Sequence, residues 1–142
     1  MTQVAFHFNA PDKLQYATRL LRKASAQGAK VAVVGLPEDL LAIDVQLWTL
    51  TPQDFIAHAL WPAEPQVWSA SPVLLCETAS QSHHREVLLN LGHSVPQGYA
   101  EFARVIEVVT VDDAERQAAR SRWKHYSEQG LTIVRHDIAV HA

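Results

Sequence analysis

The chain has 142 residues, 48% of them hydrophobic, and a formal net charge of −3. That length suffices for one domain with a sizeable core, and the acidic balance excludes broad electrostatic binding to nucleic acid. With Cys76 as its one cysteine it can form no intrachain disulfide; it has no apolar run long enough to cross a bilayer and no signal-peptide pattern in MTQVAFHFN, so one cytoplasmic domain over residues 1–142 is expected.

Val4 to Phe8 alternates and predicts a first strand, with Val4, Phe6 and Phe8 on one face. Asn9 and Pro11 suit a helix start, and Leu14, Ala17, Leu21 and Ala24 supply its apolar stripe until Gly28 stops it. Arg19, Arg22 and Lys23 lie off that stripe and should face water. KVAVVG, Lys30 to Gly35, predicts a strand covered on both faces. Strand, helix, strand in that order implies a right-handed crossover between two parallel strands.

Pro37 to Leu50 predicts one helix or two short ones, with Glu38 and Asp39 in the first turn. Thr51 to Ser71 is irregular, crowded with prolines and with Phe55, Trp61 and Trp68. Pro72–Cys76, Glu86–Leu91 and Val105–Val111 predict further strands, and Leu131–Val134 a short last one. Thr78–Arg85 is turn-like, and Pro96–Arg104 predicts a short helical turn. The expected class is α/β: a Rossmann-like open sheet, mostly parallel, flanked by helices.

VDDAERQAARSRWKHYSEQG, Val111 to Gly130, predicts one amphipathic helix. Asp112 and Asp113 offer a cap and complement the helix dipole, and Gly130 ends it. Arg116, Arg120 and Lys124 recur every four residues and share one face, with Trp123 beside them. Ala118, Ala119 and Tyr126 suit burial. The face reads either as a solvated basic surface or as a site for an acidic, partly hydrophobic ligand such as a peptide tail.

No catalytic signature accompanies it. The first strand-to-helix turn, FNAPDK, lacks the glycine a pyrophosphate requires, and neither GxxxxGK[ST] nor GxGxxG occurs. His83 and His84 have no zinc-like spacing to other ligands, no serine sits in a GxSxG elbow, and Cys76 in VLLC reads as a small buried hydrophobe. We therefore expect no catalytic residues, metal or cofactor. Trp48, Phe55 and His58 form a further aromatic group, read either as core or as an anchor for a second protein.

VAFHFNAPDKLQYATRLLRKASAQGAKVAVVG, LWTLTPQDFIAHAL and FARVIEVVTVDDAERQAARSRWKHYSEQG, in that order, resemble the chi subunit family of bacterial DNA polymerase III over nearly the whole chain. The resemblance implies a Rossmann-like domain without catalytic activity and two protein partners. One is the psi subunit, which ties chi to the clamp loader; the other is the acidic, phenylalanine-ended tail of single-stranded-DNA-binding protein. Contact with DNA would be indirect. The family's tail-binding positions fall on Arg116, Arg120 and Lys124, with Trp123 at an aromatic position and Val111 at an apolar one. The surface for psi or an alternative partner falls on Trp48, Phe55 and His58. The competing reading is a small Rossmann-like enzyme or nucleotide-binding protein.

Overall fold

A strand that is apolar at every position needs cover on both faces, because successive side chains point to opposite sides. Val31–Val34 and Val73–Cys76 are such runs, Val87–Asn90 is one but for its last residue, and all twelve residues are buried. In the computed structural model, which describes residues 2–49 and 56–138, they lie side by side in one seven-stranded parallel sheet. The strands are β1 (Gln3–Ala10), β2 (Val31–Val34), β3 (His58–Leu60), β4 (Val73–Cys76), β5 (Val87–Asn90), β6 (Arg104–Thr110) and β7 (Ile133–Asp137). Their order across the sheet is β3-β4-β2-β5-β6-β1-β7.

Among the described residues, four α-helices flank the sheet: α1 (Lys13–Ala26), α2 (Pro37–Trp48), α3 (Pro65–Ala70) and α4 (Asp113–Glu128). The period-two pattern sorts the core into two layers. Val31, Val33, Leu75, Leu89 and Val108 meet Ala17 and Leu21 of α1 and Leu40, Ile43 and Leu47 of α2. Their neighbours Ala32, Val34, Leu74, Leu88, Val105 and Val109 face the other way, toward Ala119 and Tyr126 of α4 and toward Trp68 and Phe102. Cys76 lies in this second layer, and burial pushes its thiol up to about 12, as befits a small hydrophobe.

The α/β class and the long helices are as the sequence predicts. The connection from β1 to β2 joins two parallel strands of one sheet, with β5 and β6 lying between them. A crossover rule constrains hand, not how many strands are skipped. Two details differ. First, the stretch expected to be irregular holds β3, paired with β4, and α3. Both are too short to show a period. Second, the cap of α1 is Asp12, whose side chain accepts from the Gln15 amide at 3.0 Å. Asn9 is instead left-handed (φ 68°) beside a shift in the β1–β6 register. Of two Asx residues near one proline, the sequence points to the wrong one.

α4 is fixed to the sheet by a buried polar cluster. Glu107 and Arg122 are 0% and 2% exposed, and Arg122 Nε donates to Glu107 Oε1 at 2.9 Å. Asn90, the register partner of Glu107 on β5, donates to both carboxylate oxygens at 3.1 and 3.0 Å, and the Tyr126 hydroxyl donates to Oε2 at 2.7 Å. Arg122 also donates to the His93 carbonyl at 2.9 Å. Burial raises the Glu107 carboxyl above its ordinary value, while Arg122 and the three hydrogen-bond donors pull it back.

Removing Arg122 would strand a buried carboxylate. Arg122→Ala should cost roughly 3–5 kcal/mol in denaturant unfolding, the range for a buried pair deprived of one partner. The sign of its pH dependence follows from the raised carboxyl. The folded variant keeps a proton that the unfolded chain has released, so its stability should fall as pH rises above the ordinary carboxylate value of 4.5. Equal destabilisation at pH 5 and pH 8 would contradict this account.

Candidate functional cleft

α4 begins at Asp112, whose carboxylate accepts from the Glu115 amide at 3.1 Å, and ends before Gly130 at φ 74°. Its inward stripe is Ala119, Arg122 and Tyr126. Arg116, Arg120 and Trp123 stand beside that stripe, at the border between the helix and β1, β6 and β7. Together they line a cleft of about 690 Å³ with Phe6, Phe8, Asn9, Val109, Thr110, Ala119 and Arg135.

The floor is apolar, built from buried Phe6, Val109 and Ala119. The Trp123 ring lies 5.0 Å from that of Phe6 and forms a wall. Three guanidinium groups line the cleft with it. Arg116 donates to Asn9 Oδ1 at 3.0 Å, and Asn9 Nδ2 donates to Asp137 Oδ1 at 3.0 Å, so the left-handed Asn9 ties α4 to β7. The Arg135 guanidinium lies 5.1 Å from the Phe8 ring centre and 5.9 Å from that of Trp123, within cation–π reach of both. Arg120 is exposed and has no hydrogen bond or ion pair among the described residues. An apolar floor beneath free cations can hold a ring while pairing carboxylates around it.

The structure thus brings Arg116, Arg120 and Trp123 into one cleft and leaves two expected members outside its lining. Lys124 has its side chain 77% exposed, with the ammonium 4.0 Å from Glu128. Val111 follows the end of β6 and is 56% exposed. Among the members that sequence reasoning missed as site residues are Phe8, Asn9 and Arg135. For Phe8 and Arg135 the one sequence signal is strand parity with Phe6 and Ile133, which is useless until β1 and β7 are known to be neighbours; Asn9 has the opposite parity and reaches the cleft through its left-handed backbone.

Of the aromatic group of the sequence, Trp48 and His58 are brought into contact. Trp48 is 60% exposed at the end of α2, and its ring packs edge-on against His58 at 5.0 Å. His58 is buried, with ring nitrogens 2.7 Å from the Ile56 carbonyl and 2.9 Å from Asp44 Oδ1. Phe55 lies outside the described residues. Leu41, Val45 and Trp48 recur one turn apart and are all more than half exposed, making an apolar stripe on the outer side of α2.

A second cavity, about 700 Å³, opens at the carboxyl ends of β2 and β5, where open α/β sheets usually take ligands. Among the described residues, Glu77 is its one formally charged lining residue, with Thr78, Ser80 and His93 among the polar ones. None of those described residues is a lysine or arginine that would pair with a phosphate.

The family model described as DNA polymerase III chi subunit, HolC, matches residues 1–134. The DNA polymerase III subunit chi of Pseudomonas aeruginosa is 33% identical over 141 residues, covering 96% of each chain. The subunits chi of Haemophilus influenzae and Escherichia coli are 30% and 26% identical over 66% and 64% of this chain and 64% and 61% of their own.

Because Arg116 and Arg120 are exposed and make no ion pair among the described residues, they should add little to folding. Alanine at Arg120 should shift unfolding stability by no more than about 0.5 kcal/mol, as for surface sites without structural partners; at Arg116, which donates to Asn9 Oδ1, the loss should stay within about 1.5 kcal/mol, the scale of one hydrogen bond. A loss above about 2 kcal/mol in either variant, far outside that surface range, would make the cleft a structural feature.

Proposed function

This chain belongs to the DNA polymerase III chi subunit family, and from that membership we propose that it is a non-catalytic accessory subunit linking single-stranded-DNA-binding protein to the clamp loader through psi. The observation that carries the reading is the cleft: an apolar floor lined around by Arg116, Arg120 and Arg135. Its ligand is the acidic, phenylalanine-ended tail of single-stranded-DNA-binding protein. The phenyl ring enters against Phe6, Val109 and Trp123. Arg120 takes the terminal carboxylate, because its guanidinium is uncommitted and its planar fork can bind in bidentate fashion.

The psi-facing surface is the stripe Leu41, Val45 and Trp48, with the His58 ring packed against Trp48; Phe55, which the family resemblance assigns to the same surface, lies outside the described residues. Support comes from its exposure, since an apolar row of this kind is more than scattered surface residues. The two surfaces also lie on opposite faces of the sheet, because α2 and α4 pack against different core layers. A linking protein needs sites that do not compete. The nucleotide-binding alternative is disfavoured by the second cavity, whose one charged lining residue among the described residues is an acid.

Two measurements test the two halves. Calorimetric titration of an acidic Phe-terminated peptide should show Arg120→Ala weaker by roughly 1–3 kcal/mol, the scale of a charge-assisted bond lost at a partly desolvated site. Wild-type affinity in a folded Arg120→Ala variant would reduce the helix to a solvated basic face. Addition of psi should raise the unfolding temperature of the wild-type chain by binding linkage. Trp48→Ala should diminish that rise while leaving peptide binding intact; an undiminished rise would remove Trp48 from the interface.

A further inference from the structure

The basic row of α4 supplies cations to only one wall of the cleft; the facing wall has its own, on the edge strand. Taking the acidic-peptide reading as premise, we propose that Arg135 is the second anion-holding group of the cleft. The peptide then crosses from α4 over β1 to β7 instead of running along α4 toward Lys124.

Sheet register gives the first reason. Phe6 and Arg135 are direct partners in the parallel β1–β7 pair, so both side chains point to the α4 side. A basic residue one position earlier or later would face α1. Second, the Arg135 guanidinium is within cation–π reach of both Phe8 and Trp123, which orders a long side chain in the absence of a ligand. Third, it makes no hydrogen bond or ion pair among the described residues, so its five donors are uncommitted. Arg120 on the opposite wall is equally free, whereas Arg116 is held by Asn9. Two uncommitted guanidinium groups therefore flank one apolar floor. Lys124 offers no such arrangement, being outside the lining and beside Glu128.

A ligand matched to this geometry carries a carboxylate on each side of an aromatic ring. The C-terminal carboxylate goes to Arg120 and an upstream acidic side chain to Arg135. A merely structural Arg135 would cover Phe8 and Trp123 with its stem and head, and the peptide's upstream charge would be irrelevant to it.

The test is calorimetric titration of two peptides, one with acidic residues upstream of a terminal Phe and one with those residues replaced by their amides. They are titrated into the wild-type chain and into Arg120→Ala, Arg135→Ala, Arg135→Gln, Arg135→Lys and Lys124→Ala. Arg135→Ala and Arg135→Gln should weaken the acidic peptide by roughly fivefold or more, above what an isolated surface pair supplies. Arg135→Lys should restore only part of this, because an ammonium lacks the planar face that stacks on Phe8. Lys124→Ala should stay within about twofold, the small effect expected of a solvated charge. With the amide peptide, the Arg135 variants should match wild type. An Arg135 effect that is equal for both peptides, or smaller than the Lys124 effect, overturns the proposal. Loss of sensitivity at Arg120 as well would instead reject the peptide reading on which it rests.

Discussion

Glu107 and Arg122 hold α4 against the sheet. α4 has little else to bury: Ala119 and Tyr126 complete its inward stripe, and Tyr126 itself donates to Glu107. A carboxylate in the middle of an apolar strand is costly to remove from water, and four donor contacts from Arg122, Tyr126 and Asn90 offset that cost. The arrangement tolerates one setting of the helix. Turning α4 about its axis by one residue would swing Arg122 away and leave Glu107 buried without its cation. The position of every other side chain on α4 follows from that constraint.

Four cations on one helix consequently meet three fates. Arg122 lies on the stripe of Ala119 and Tyr126 and becomes part of the core. Arg116 and Arg120 sit at the border with the sheet, over an apolar floor, and line a cleft. Lys124 points to solvent and stands beside Glu128. Residue type does not separate them; angular position around the helix does. The same logic makes Asn9 a member of the cleft and not a cap. Its left-handed backbone, beside the irregularity in β1, directs its amide between Arg116 and Asp137. Asn tolerates that backbone better than most residues with a Cβ.

The sheet order extends this to distant parts of the chain. β6, β1 and β7 are adjacent, so the first, sixth and last strands of the sequence supply the cleft floor and one wall. Placing β1 next to β6 leaves β2 next to β5 and opens the polar crevice at their carboxyl ends, which has Glu77 where a phosphate would need a cation. Family membership, the cleft and the exposed stripe on α2 all fit an accessory subunit better than a nucleotide-binding enzyme.

The sequence by itself determined the local structure and the family. Continuous apolar runs marked β2, β4 and β5, the 3.6-residue stripe marked α1, and Asp112 with Gly130 bounded α4, because periodicity and capping depend on neighbours a few residues away. The row Arg116, Arg120 with Trp123 was legible for the same reason. Tertiary structure alone decided that Arg122 is a core residue, although its hint was present: a cation on the Ala119–Tyr126 stripe and a lone carboxylate in VIEVV. It also decided that Phe8, Asn9 and Arg135 share the cleft and that Lys124 and Val111 lie outside its lining. Those outcomes depend on which strands are neighbours and on the rotation of one helix, and the rotation is set by burying Glu107 with Arg122, residues fifteen apart in the chain.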